Sequence, residues 1–74
     1  MATVAEAYHQ AIELHQQGQL DAAEPIYRQI LAVAPDHAGA WQHLGVIALQ
    51  RGDAATAIEH ITRGIQLDPS QPSY

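Results

Sequence analysis

The 74-residue sequence contains no cysteine, no lysine and no asparagine. Without cysteine, the chain forms no disulfide, has no thiolate metal ligand and has no cysteine nucleophile. Its basic residues are three arginines against eight acidic residues, and the formal net charge is −5 with neutral histidine. Binding to phosphate backbones requires clustered positive charge. Nucleic acids and anionic membrane surfaces are therefore excluded as partners.

Long apolar segments are missing as well. The longest uninterrupted apolar run covers residues 30–34, whereas a membrane-spanning helix needs about 20 apolar residues. Residues 1–6 lack the basic segment and apolar stretch of a secretory signal. These absences favour a cytoplasmic location. A hydrophobic content of 47% predicts a folded chain, but one this short buries only about 60% of its surface and has a marginal core.

The sequence repeats itself with a period of 34 residues. Shifting it by 34 positions gives five identities, namely His9/His43, Gln16/Gln50, Gly18/Gly52, Ala23/Ala57 and Pro35/Pro69. We interpret residues 4–37 and 38–71 as two repeats, and residues 72–74 as the beginning of a further repeat or a tail.

Apolar residues in both units follow the i, i+3, i+4, i+7 spacing of helices. The four stripes are Val4, Ala7, Tyr8, Ala11 and Leu14; Leu20, Ala23, Tyr27, Ile30, Leu31 and Ala34; Trp41, Leu44, Gly45 and Ala48; and Ala54, Ala57, Ile58, Ile61 and Ile65. No segment alternates with a period of two, so no strand is expected. The sequence predicts an all-α fold of four helices, paired antiparallel because the connections are short.

Helix ends are marked by glycine and by capping residues. Gly18 and Gly52 are expected to end helices in the left-handed conformation. Asp21 is expected to cap the second helix, with Glu24 completing a capping box and Pro25 in the first turn. Asp36 and Asp53 are the corresponding cap candidates for the third and fourth helices.

The second unit resembles the tetratricopeptide repeat (TPR) family. The matching residues are Trp41, Leu44, Gly45, Ala48, Gly52, Ala57, Ile61 and Pro69. The first unit fits at Leu14, Gly18, Ala23, Tyr27 and Pro35. The resemblance implies two helix-turn-helix repeats stacked as a short right-handed α-solenoid, with a partial start of a third. Trp41 is expected to pack between the repeats, so its truncation to alanine should cost about 3–5 kcal/mol.

The resemblance also implies a protein-binding groove lined by the first helix of each repeat. By matched position, the expected partner-binding residues are Tyr8, Ile12, His15, Gln42, His43, Val46 and Leu49, with Ala5 and Gly39 nearby. Such a surface suits an apolar peptide or an amphipathic helix. Burial of this surface by self-association or by a further repeat is an equal alternative. A carboxylate clamp is excluded, because Tyr8, Ile12, His43 and Ser73 occupy the clamp positions of the family.

Two repeats are fewer than the three or more that such arrays usually need. We therefore expect either the beginning of a longer repeat protein or a homo-oligomer formed by end-to-end packing or helix exchange. The style of residues 19–24 and 30–37 resembles bacterial repeat arms that precede glycosyl- or sulfotransferase domains, so an accessory arm is one alternative function. A self-assembling structural module is another.

Catalysis and metal binding have little support in the sequence. The five histidines, at positions 9, 15, 37, 43 and 60, include no pair at the i, i+3 or i+4 spacing of a helical metal site. His9 and His43 occupy equivalent positions and are candidates to face each other. No serine or threonine has a base and an orienting partner at a recognisable spacing. We expect no enzyme, no cofactor and no metal.

Overall fold

A computed structural model of the protein describes residues 3–68, and this part is built from four α-helices and no strand. The helices are α1 (Val4–Gln16), α2 (Leu20–Val33), α3 (Ala38–Gln50) and α4 (Ala54–Leu67). Each helix packs against the next one along the chain, and turns of three or four residues make neighbours antiparallel. The predicted all-α repeat fold is confirmed. The expected beginning of a third repeat at 72–74 lies outside the described residues. So do Pro69, which matches the repeat pattern, and Ser73, which occupies a clamp position.

The turns within the two helix pairs follow the glycine prediction. Gly18 and Gly52 have φ angles of 78° and 83°, a region that residues with a Cβ rarely adopt. Asp53 caps α4 as expected, since its carboxylate accepts a hydrogen bond from the Thr56 backbone N–H at 3.2 Å. These residues therefore fix where α1 and α3 end and where α4 begins.

The capping prediction for α2 is wrong. Its N-cap is Gln19, which makes no side-chain cap bond, so Asp21 already lies within the helix and Pro25 falls in the second turn. The carboxylates of Asp21 and Glu24 bind the Arg51 guanidinium at 2.6 and 2.5 Å instead of the helix end. Arg51 follows α3, 27 and 30 residues beyond its two partners. Capping rules consider only neighbouring residues and therefore do not predict this contact.

The expected cap of α3 also moves, by one residue. His37 takes the place predicted for Asp36, because its Nδ1 accepts a hydrogen bond from the Ala40 backbone N–H at 3.0 Å. At the start of α1, Thr3 and Glu6 form a reciprocal capping box that the sequence reading missed.

The buried core lies where α1, α2 and α3 meet. Its members are Ala11, Ala23, Tyr27, Ile30, Ala40, Leu44 and Ile47. Helix α3 contributes most to the interior because α2 covers one side of it and α4 covers another. Helix α1 packs mainly against α2, and Ala11 is its one buried residue in the described chain.

Close approach of α3 and α4 depends on two glycines. A Cβ on Gly45 would collide with the Ile61 side chain and lie 3.1 Å from the Ala57 carbonyl oxygen. A Cβ on Gly64 would lie 2.5 Å from Cγ of Gln42. The absence of side chains at these positions lets the two helices pack almost backbone to backbone.

Three residues predicted to lie in the interior are more exposed than expected. Ile58 and Ile65 are 66% and 38% exposed, because no helix of the described chain covers that side of α4. Trp41 is half-buried at the edge of the core. Its indole N–H donates to the Pro35 carbonyl at 3.0 Å, and its ring lies 5.4 Å from that of His60. Its truncation should therefore cost less than the 3–5 kcal/mol expected of a fully buried ring.

Candidate functional site

The first helices of the two repeats, α1 and α3, contact each other and share one surface. Tyr8, Ile12 and His15 are spaced i, i+4, i+7 and share one face of α1. That face meets α3, since His15 Nε2 lies 2.7 Å from Oε1 of Gln50. We call this surface, formed by Tyr8, Ile12, His15, Val46, Leu49 and Gln50, the α1–α3 face.

A cluster of aromatic rings supports the α1–α3 face from below. The imidazole of His43 stacks on the Tyr27 ring with centroids 5.2 Å apart and planes 3° apart. Tyr8 packs edge-on against His43 at 5.6 Å and against His37 at 4.6 Å. His15 completes the cluster 5.7 Å from His43. These contacts join α1, α2 and α3 beneath the α1–α3 face.

Two rings of the cluster, His43 and Tyr27, have shifted pKa values. Burial lowers the pKa of His43 below its ordinary value, and nearby His15 and His37 lower it further. Burial likewise raises the pKa of the Tyr27 hydroxyl, with Tyr8 adding to the effect. No group of three histidine, aspartate or glutamate side chains within residues 3–68 is arranged to hold a metal ion. Within the cluster, burial therefore disfavours the charged forms of His43 and Tyr27.

The sequence-predicted binding residues divide into three groups in the structure. Leu49 is 57% exposed, and Ile12 and Val46 are half-buried, so these three present apolar surface to solvent. Tyr8, His15 and His43 are members of the ring cluster. Tyr8 and His15 also form part of the α1–α3 face. Gln42 does not line this surface, because it is only 2% exposed and packs against Gly64 of α4.

One expectation about the histidines changes accordingly. His9 does not meet His43, since it is exposed and lies about 100° around α1 from Tyr8, which contacts His43. The sequence did not predict that Gln50 would lie on the α1–α3 face or that His37 would join the ring cluster. Gln50 is identical to Gln16, the equivalent residue of the first repeat. Nothing in the sequence indicated that the Gln50 side chain would contact His15.

A group of ion pairs lies at one edge of the boundary between the repeats. Arg51 bridges Asp21 and Glu24 of α2, and Arg28 binds Glu24 from the following turn at 3.0 Å. The Arg51 guanidinium lowers the pKa of the Glu24 carboxyl. This network fixes the end of α3 against the beginning of α2.

Comparison with known proteins agrees with this architecture. A family model described as tetratricopeptide repeat matches residues 5–72. The chain belongs to the tetratricopeptide repeat family, whose members are protein-interaction modules. No curated protein matches the sequence significantly. Within the described residues, no helix is long and apolar enough to cross a membrane.

Proposed function

We propose that the protein binds an apolar segment of a partner protein, as a short peptide or one side of an amphipathic helix, across the α1–α3 face. The observation that carries this proposal is the exposed Leu49 side chain, one helical turn from the half-buried Val46 on α3, together with the half-buried Ile12 on α1. Ile12 and Val46 are equivalent positions of the two repeats, so each unit contributes an apolar residue to this face. Apolar side chains three or four residues apart in the partner match such a surface.

Charge supports the same class of partner. The chain carries eight acidic residues against three arginines, and the α1–α3 face contains no lysine or arginine. An acidic peptide would therefore meet repulsion without a compensating cation. The polar groups beside the apolar residues are His15 and Gln50, which suit hydrogen bonding to a peptide backbone.

Selection from a random peptide library displayed on phage, followed by NMR titration with the best-binding peptide after synthesis, tests this proposal. The amide shifts are expected to change most at Ile12, Val46 and Leu49. Val46→Asp should weaken the peptide at least about tenfold, corresponding to about 1.4 kcal/mol. Val33→Asp is the matched control, since Val33 is 76% exposed on α2, and it should leave affinity unchanged. A peptide that shifts other residues, or whose binding survives Val46→Asp, contradicts the proposal.

We further propose that the chain forms a homo-oligomer. Ile58 and Ile65 on α4 are exposed apolar side chains outside the α1–α3 face, and grouped exposed apolar residues favour association. Molar mass measured by light scattering over a hundredfold concentration range tests this. A constant mass of 8.0 kDa contradicts it.

A further inference from the structure

The first turn of α3 is capped by a histidine. The Nδ1 atom of His37 accepts a hydrogen bond from the Ala40 backbone N–H at 3.0 Å. A neutral imidazole has one nitrogen that accepts hydrogen bonds, whereas both nitrogens of a protonated imidazole are donors. The caps of α1 and α4 use the Thr3 hydroxyl and the Asp53 carboxylate instead. The cap of α3 is therefore the one that protonation of an imidazole abolishes.

The capped turn also supports a residue of the α1–α3 face. The ring of Tyr8 lies 4.6 Å from that of His37 and 5.6 Å from that of His43. The Tyr8 hydroxyl lies against Gly39 in the first turn of α3, where a Cβ would collide with it. That Cβ would also lie 3.3 Å from Cε1 of His37. Tyr8 of α1 is therefore seated on the turn that His37 holds in place.

Positive charge at the beginning of α3 is unfavourable for two reasons. The N–H groups at a helix N-terminus repel a cation, and His43 lies close enough to His37 for their charges to interact. The carboxylates at this end of the fold are Asp36 in the preceding turn and Asp68 at the C-cap of α4, whose last turn contacts the start of α3. Pairing with either carboxylate does not restore the acceptor that the Ala40 N–H requires.

We propose that acid opens the first turn of α3 by protonating His37, and thereby weakens partner binding at the α1–α3 face. Opening of this turn removes the support of Tyr8, so α1 and α3 no longer present one surface. The binding part of this inference rests on the proposed function. The opening of the turn is a property of the free chain and is measured without a partner.

Heteronuclear NMR of the free chain from about pH 7.5 to 5.0, a range that brackets the ordinary histidine pKa, tests the cap. The Ala40 amide proton is expected to move upfield as its hydrogen bond is lost, with the same midpoint as the His37 ring signals. The Thr56 amide, which donates to the Asp53 carboxylate, is the control and should keep its hydrogen-bonded position. An Ala40 amide that does not follow the His37 ring overturns the proposal.

Replacement of the histidine tests its role directly. His37→Ser provides a hydroxyl that accepts the cap bond throughout this pH range. The pH response of the Ala40 amide should therefore disappear, while circular dichroism shows unchanged helicity at pH 7.5. His9→Ser removes an exposed histidine of α1 and should leave the response as it is. A response that persists in His37→Ser overturns the assignment to His37.

A phage-selected peptide without titratable side chains measures the consequence for binding. Its dissociation constant should be at least about threefold higher at pH 5.0 than at pH 7.5, since loss of an N-cap corresponds to a factor of about two to thirty. His37→Ser should reduce this change, and His9→Ser should not. Equal affinity at both pH values overturns the coupling to the partner. If no peptide binds the face at pH 7.5, the proposed function fails and the release fails with it, whereas the NMR titration still decides whether acid opens the turn.

Discussion

The two repeats reach the same helix-pair geometry with different packing. In the first, the fully buried Tyr27 ring fills the space between α1, α2 and α3, and Ala11 faces it from within the core. In the second, the equivalent residues are Ile61 and Gly45, and the α3 and α4 backbones approach until a Cβ on Gly45 has no room. A large side chain with alanine and a smaller one with glycine are thus alternative solutions for the same helix pair.

The two ends of the stack differ as well. The outer side of α1 is polar, with Glu6, Gln10 and Glu13 exposed, and resembles a solubilising cap. The outer side of α4 exposes Ile58 and Ile65. One end is therefore polar and the other apolar, so the two repeats are not interchangeable.

The largest effect is expected from Tyr27. Tyr27→Ala should destabilise the protein by about 3–5 kcal/mol, because a fully buried ring leaves a cavity, whereas Ile61→Ala at the half-buried equivalent should cost about 1–2 kcal/mol. Urea unfolding followed by circular dichroism measures both. Tyr27→Phe is the control: the buried Tyr27 hydroxyl has no hydrogen-bond partner among the described residues, so its removal should be neutral or stabilising. Equal losses for the two alanine variants would show that the repeats do not differ in packing.

The second-largest change in stability is expected from exchanging the small residues at equivalent positions of the two repeats. Gly45→Ala should destabilise by about 2 kcal/mol, because steric overlap with α4 outweighs the helix-propensity gain of about 1 kcal/mol. Ala11→Gly should also destabilise, by about 1 kcal/mol from propensity alone. The same unfolding experiment measures both variants. If Gly45→Ala raises stability, the close approach of α3 and α4 is not a requirement of the second repeat.

Acid should weaken the first repeat boundary. The unfolded chain protonates His43 near its ordinary pKa of 6.5, while the buried residue in the folded chain has a lower pKa. The unfolded state therefore binds more protons between the two values, and the free energy of unfolding decreases there as the pH is lowered, by up to about 1.4 kcal/mol per pH unit. The groups facing His43 are Tyr8 and His15 of α1, Tyr27 of α2 and His37.

Unfolding measured at about pH 7.5, 6.5 and 5.5, which brackets the ordinary histidine pKa, checks this dependence. His43→Phe, which keeps a flat ring on Tyr27, should reduce the slope of the free energy of unfolding against pH. His9→Phe changes an exposed histidine and should leave the slope as it is. An unaltered slope in His43→Phe would assign the pH dependence to other groups.

The smallest effect is expected at the polar edge between the repeats. Arg51→Gln removes the contacts to Asp21 and Glu24, and the loss should be smaller than for the other variants because exposed ion pairs contribute little. High salt should shrink the difference between Arg51→Gln and the parent chain. Arg63→Gln on α4 is the control. A loss that salt leaves unchanged would indicate that Arg51 acts through packing.

Local rules accounted for the helices and for several of their ends. The 3.6-residue spacing of apolar residues identified four helices, and Gly18, Gly52 and Asp53 marked turns and a cap, because these depend on residues within one or two turns. The caps at Gln19 and His37 were missed, since a distant arginine engages Asp21 and Glu24 and a histidine ring replaces the expected carboxylate.

The candidate site was predicted in outline and not in detail. Ile12, Val46 and Leu49 were placed on the accessible surface by their position in the repeat. Gln42 was also expected on that surface and is buried, because its burial depends on the missing side chain of Gly64, a residue 22 positions later. The stacking of His43 on Tyr27 joins different helices and has no local signal.

The sequence alone thus determined the helices, their 34-residue repetition and the family, because these follow from periodic local preferences. Only the tertiary structure decided which apolar stripes are covered. Ile58 and Ile65 satisfy the same helical spacing as buried residues and yet are exposed. Periodicity records which side of a helix is apolar, whereas burial requires a second element at the right distance to remove that side from water.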